Sequence, residues 1–122
     1  MNEKELRIGN WIEGRSDSKK DFVTFQVYRE TFFDIDSAYG EFKPIPLTEE
    51  WLLKFGFQFY FIGNGDYKSK QWYFEDFTLC GFNYYYNLEI NYIHQLQNLF
   101  FAIKGKELIY NNEGTKKNNQ MD

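Results

Sequence analysis

One cysteine, one histidine and two prolines are all that this 122-residue chain holds of those three types. The lone Cys80 excludes an internal disulfide and any cysteine-based zinc site, and it fits a reducing compartment. The lone His94 excludes a histidine-rich metal site. No stretch approaches the ~20 consecutive apolar residues that a bilayer span needs. The opening residues 1–10, MNEKELRIGN, mix acids and bases and lack the apolar stretch of a secretory signal. A basic surplus is missing too: 14 lysines and arginines stand against 18 acids, for a net charge of −4. Phosphate neutralisation dominates nucleic-acid affinity, so a nucleic-acid binder normally shows a basic face. These absences predict a cytoplasmic protein without cofactor, metal or membrane attachment.

Aromatic residues, by contrast, make up 22% of the chain, against two valines and two alanines. Codon bias explains much of this, because Phe, Tyr, Asn, Ile and Lys, which total 55 residues, all have AT-rich codons. The aromatics still supply large buried area per residue. With 43% apolar residues, the length suits one globular domain with a real core. Charge is uneven: residues 1–50 carry 11 acids and 7 bases, while residues 51–122 carry 7 of each.

Periodicity predicts an α+β fold in four parts. The first is a curled antiparallel β unit, or SH3-like barrel, over about 5–45. Its strands are Leu6 to Ile12, the alternating Phe22 to Tyr28, Thr31 to Ile35, and Ala38–Phe42. A short helix follows at about 48–55, with Thr48 as cap, Glu49 and Glu50 in the first turn and Gly56 just past the end. A second antiparallel β unit covers about 57–90. In it Gly63-Asn64-Gly65-Asp66 turns the chain, Gln71 to Phe77 returns, and Phe82 to Ile90 forms one alternating strand. A packing helix at about 92–104 starts after Asn91, presents the stripe Ile93, Leu96, Phe100 and Ile103, and ends at Gly105. Residues 1–110 form the domain, and 111–122 read as a flexible tail.

Residues able to carry chemistry are few. His94 lies off the apolar stripe beside Gln97, Asn98 and Phe101, without an acid or nucleophile at a recognisable spacing. It reads as a helix residue satisfied by a neighbouring polar group, and Cys80 as a small buried hydrophobe. Gly63-Asn64-Gly65-Asp66 lacks the Gly-Lys-Ser/Thr ending of a phosphate loop. More informative are Glu30, Asp34, Asp36 and Glu41, which follow one another with no base after Arg29 until Lys43. On a strand, Glu30, Phe32, Asp34 and Asp36 share one face. Two readings stand: a solvated edge that resists strand-to-strand aggregation, or a docking patch for a basic partner with Phe32 as aromatic anchor. Tyr85, placed among Asn and Glu on the wet face of its strand, offers a second anchor.

Three stretches carry a resemblance. They are Glu5-Leu6-Arg7-Ile8-Gly9-Asn10-Trp11-Ile12, then Pro44-Ile45-Pro46-Leu47-Thr48-Glu49-Glu50-Trp51-Leu52-Leu53-Lys54-Phe55-Gly56-Phe57, then His94-Gln95-Leu96-Gln97-Asn98-Leu99-Phe100-Phe101-Ala102. In this order the chain resembles a group of small, largely uncharacterised proteins of phages and prophages of Bacteroidetes-type bacteria. The resemblance implies a mobile-element protein in the cytoplasm of a bacterial host, and more narrowly an anti-CRISPR protein acting on an RNA-guided ribonuclease of type VI systems. It supplies no catalytic residues.

The expectation is therefore a non-enzymatic inhibitor that binds a host defence effector or its RNA complex through Glu30, Phe32, Asp34, Asp36, Glu41 and Tyr85. The alternative is a nucleic-acid-binding accessory protein using Tyr67, Tyr85, Lys68 and Lys70. A small hydrolase built on His94 and Cys80 ranks last.

Overall fold

The computed structural model describes residues 3–16, 18, 20–36 and 40–111. Residues 112–122, most of the expected tail, lie outside them, as do Ala38 and Tyr39 of the expected fourth strand. After a 3-10 turn at Glu3–Glu5 come β1 (Trp11–Arg15), β2 (Val23–Gln26), α1 (Arg29–Asp36) and β3 (Glu41–Pro44). Next are α2 (Glu49–Lys54), β4 (Gln58–Ile62), a 3-10 turn at Gly65–Tyr67, β5 (Ser69–Phe74) and β6 (Phe77–Cys80). Then β7 (Tyr84–Tyr85), β8 (Leu88–Glu89) and α3 (Ile93–Lys104) complete the order. The architecture is α+β, with an antiparallel three-stranded sheet, β2-β1-β3, and a five-stranded sheet in chain order, β4 to β8.

The helix α2 follows its sequence signals closely. The Thr48 hydroxyl accepts from the Trp51 N–H at 3.3 Å. Gly56, at φ +93°, ends the helix: its N–H reaches the Leu53 carbonyl at 2.9 Å, and the Phe57 N–H reaches the Leu52 carbonyl at 2.9 Å. This paired closure requires a left-handed residue at the turn and brings buried Leu52 and Phe57 together. The main core lies between the five-stranded sheet and the helices α2 and α3, built on Leu52, Phe57, Trp72, Phe77, Leu96 and Phe100. A smaller core of Leu6, Ile12 and Val27 lies under the three-stranded sheet, with Phe25, Phe32, Ile35 and Phe42 packed against it.

The structure corrects several expectations. The expected strand at Thr31 to Ile35 is helix α1, so the first unit is a three-stranded sheet with a helix inserted between β2 and β3. The Thr31 side chain decides this locally. Its hydroxyl accepts from the Tyr28 N–H at 3.1 Å, capping an N–H that a helix start leaves free. The expected strand at Leu6 to Ile12 is instead a turn leading into β1, which runs on through Gly14 and Arg15. Gln71 to Phe77 is not one strand, because the chain reverses at Glu75-Asp76 and pairs Phe74 with Phe77. Phe82 to Ile90 likewise folds back at Tyr86-Asn87 into a small hairpin, pairing Tyr85 with Leu88. Each turn places a non-glycine residue, Glu75 or Tyr86, at positive φ, so neither carried the glycine signature of a hairpin. In α3, Ile93, Leu96 and Phe100 are buried as expected, whereas Ile103 is 45% exposed at the last turn.

The two units are joined by a polar lock. From α3, the Gln97 side chain accepts from the Trp11 N–H at 2.8 Å and donates to the Gly9 carbonyl at 3.1 Å. Asn98 accepts from Arg7 Nε at 2.7 Å and from Asn10 Nδ2 at 2.9 Å, and donates to the Glu5 carbonyl at 2.7 Å. Arg7 also pairs with Glu107 at 2.7 Å and lies 4.4 Å over the Phe101 ring. Such satisfied networks specify one arrangement of the elements they join.

Candidate partner-binding surface

The helix α1 redistributes the expected docking residues. With a period of 3.6 residues, Thr31, Phe32 and Ile35 turn toward the sheet, Glu30 and Phe33 turn outward, and Asp34 is half-buried between the two faces. Phe32 is half-buried against the smaller core, while Phe33 is 66% exposed. The outward aromatic beside the acids is therefore Phe33, which strand alternation assigned to the opposite face. Asp36 belongs to α1, but its side chain lies outside the described residues.

Glu41 and Tyr85 do not join this surface. Glu41, on β3, forms an ion pair with Arg15 of β1 and so ties two adjacent strands. Tyr85 is not on a wet face. It stacks on buried Phe77 with ring centroids 4.8 Å apart and planes 10° apart, because the reversal at Tyr86-Asn87 turns it inward and leaves Tyr86 82% exposed.

Between β1, β2, β3 and α1 lies a cavity of about 630 Å³. Phe25 and Phe42 line it as an edge-to-face pair, 6.2 Å between centroids. Gly14 lines it between these rings, where an added Cβ would sit 2.9 Å from both. Tyr28, Val23, Ser16 and Ser18 also line the cavity, with Arg15 and Asp34 as its charged groups among the described residues. Arg15 is neutralised by Glu41 and lies 4.8 Å over the Phe22 ring. Among the described residues no cation pairs with Asp34, and Glu30 has only the exposed Arg29, at 3.9 Å. The volume lies in the range of small-ligand and side-chain pockets. An apolar floor with an uncompensated carboxylate is the complement of a long cationic side chain.

The residues weighed for catalysis are apart in role. His94 is 2% exposed, and its Nε2 lies 3.1 Å from Glu5 Oε1 while Nδ1 has no partner among the described residues. Cys80 is exposed rather than buried, and its sulfur accepts from Gln71 at 3.6 Å. Among the described residues, no group of three or more His, Cys, Asp or Glu side chains is placed to hold a metal ion. No described helix is long and apolar enough to cross a membrane.

A second exposed surface lies on β4, beside the Lys68 and Lys70 of the nucleic-acid alternative. Phe59, Tyr60, Phe61 and Ile62 are all exposed, and Lys70 lies 4.5 Å over Phe59 and 5.9 Å over Phe61. Lys68 lies 5.5 Å over Phe61. Lys70 is also paired with Glu49 at 3.2 Å.

No protein-family model matches the chain, and no curated protein or solved structure matches it.

Proposed function

We propose that this protein acts by binding a basic protein partner, as a phage or mobile-element inhibitor of a host defence effector. The Asp34 carboxylate, which no cation pairs among the described residues, lies on the cavity between α1 and the three-stranded sheet and carries this reading. An arginine or lysine of the partner extends its alkyl stem over Phe25 and Phe42 and brings its charge to Asp34. Glu30 and Phe33, exposed on the same helix α1, would add charge complementarity for encounter and an aromatic anchor for retention. Effectors that handle a guide RNA need basic channels, and the resemblance to phage and prophage proteins points to an RNA-guided type VI ribonuclease as the first target to assay.

The test is inhibition of target-RNA cleavage by such an effector. Wild-type protein should inhibit, and Glu30→Lys with Asp34→Lys should lose most of that inhibition while melting like wild type. Surface changes of this kind usually cost within about half a kcal/mol. Full inhibition by the double variant would overturn the assignment of the surface. The nucleic-acid reading has less support, since Tyr85 packs on the core and Lys70 is compensated by Glu49. Salt-sensitive gel shifts of single-stranded RNA by the isolated protein would favour it instead.

A further inference from the structure

We propose that β4 is a dimer interface, pairing antiparallel with β4 of a second copy about a two-fold axis through Tyr60. The strand order makes β4 the edge of the five-stranded sheet, with backbone groups on one side unpaired within the sheet. All five residues, Gln58–Ile62, are exposed. Native edges are normally blunted by charge, proline, a bulge or shortness. Here none of these is present: the segment QFYFI has no charge and no proline, and its register with β5 runs one-to-one from Gln58↔Tyr73 to Ile62↔Ser69. The opposite edge of the sheet is protected, since β8 has two residues and one is Glu89.

The apolar face of the sheet also continues past its cover. Phe57 is 2% exposed, whereas Phe61, four residues further along the same face, is 55% exposed. The Phe59 ring packs 4.8 Å from buried Trp72 and 5.9 Å from Phe61, so the core extends outward as an aromatic ledge. On the other face Tyr60 packs against Tyr73 at 5.6 Å.

Two features select a second copy as the occupant. The segment Phe59-Tyr60-Phe61 reads the same in both directions, so antiparallel pairing centred on Tyr60 sets each Phe59 opposite the other copy's Phe61. Two-fold strand pairing is isologous for any sequence, and here the palindrome fills both pairs that flank Tyr60 with phenylalanines. The charge distribution agrees: residues 51–122 balance 7 acids with 7 bases, and Lys70 is held by Glu49. Two copies therefore approach along β4 without the repulsion that the acidic first half would impose. Among the described residues, a phosphate backbone would find only Lys68 uncompensated on these rings. A five-residue strand pair is a small contact, so the dimer is concentration-dependent rather than obligate.

Sedimentation velocity on the full chain should show a shift from monomer to dimer with rising concentration, and Phe61→Lys should abolish the shift while leaving the circular-dichroism melt unchanged. Register is read by crosslinking in a Cys80→Ser background. Tyr60→Cys should form an intermolecular disulfide under mild oxidation, since opposed residues lie within disulfide reach. Gln58→Cys should not, because the two copies of Gln58 would be four residues out of register, about 14 Å apart. A wild-type protein that stays monomeric throughout overturns the proposal. So does equal crosslinking of both variants, or a shift that needs added single-stranded RNA.

Discussion

Arg7 donates from Nε to the Asn98 side chain at 2.7 Å across 91 residues of sequence. That bond sits in a network that fastens the turn before β1 onto α3 through Gln97, Asn98 and Asn10. The motif at residues 5–12 and the motif at residues 94–102 are thus two sides of one contact. His94 belongs to the same seam through Glu5, which gives it a structural role.

Replacing Gln97 by Leu tests this lock. Gln97 is 1% exposed, and the change strands the Trp11 N–H, while the Gly9 carbonyl keeps the hydrogen bond from Gln26 Nε2 at 2.9 Å. An unsatisfied buried group costs about 1–3 kcal/mol, so urea denaturation should show a loss of that order. A loss below about half a kcal/mol would place the lock at the surface.

Helix α3 predicts a contrast along its own length. Leu96→Asp sets an unpaired charge in the main core and should unfold the domain. Ile103→Asp, at an exposed position in the last turn, should melt within a few degrees of wild type. Circular-dichroism melts of the two variants decide it, and equal melts would refute the packing described for α3.

Legibility in the sequence followed the kind of signal each element uses. Helix α2 was readable because Thr48 and Gly56 occupy cap positions with a direct physical reason. Helix α1 was not, because its start is capped backwards, by Thr31 three residues inside, and Thr-Phe-Phe-Asp-Ile fits either period over so short a run. The start of α3 works the same way, with Gln95 accepting from the Asn91 and Tyr92 N–H groups at 3.0 and 3.1 Å. The tight reversals at Glu75 and Tyr86 lack glycine, so two hairpins read as continuous strands and Tyr85 was given the wrong face. At the candidate surface, charge singles out Glu30 and Asp34 in the sequence, but cavity and anchor depend on α1 being helical.

The turn at Glu75-Asp76 is held to the end of α3 by Asp76 with Lys104, and by Glu75 with Lys106 at 2.5 Å. The hydrogen bond from Lys104 holds the Asp76 carboxyl below its ordinary 3.8, and the same bond raises Lys104 above its ordinary 10.5. The stabilisation from Asp76 is complete above 3.8 and is lost as pH falls through the lowered value. The part from Lys104 is complete below 10.5 and is lost as pH rises through the raised value. The melting difference between wild type and Asp76→Asn should therefore be small but positive at neutral pH, and should close in strong acid and strong base. A difference independent of pH would mean the pair contributes nothing.

Phe32 and Phe33 are adjacent in sequence and opposite in role, so paired substitutions separate stability from binding. Phe32 packs against the smaller core with Ile35 and Phe42, and truncating a buried phenylalanine costs about 3–5 kcal/mol. Half-burial scales that down, so Phe32→Ala should lower the melting temperature clearly and weaken inhibition only as far as folded protein is lost. Phe33 is 66% exposed, and Phe33→Ala should leave the melt unchanged. It should accelerate dissociation from the effector, since an interface aromatic acts mainly on the off-rate. Glu30→Lys with Asp34→Lys should instead slow association, and that slowing should fade as salt is raised. Surface plasmon resonance at two salt concentrations measures both rates. If Phe33→Ala and the charge reversal both leave the rates at wild-type values, the partner meets another face of the protein, and the α1 surface carries no binding role.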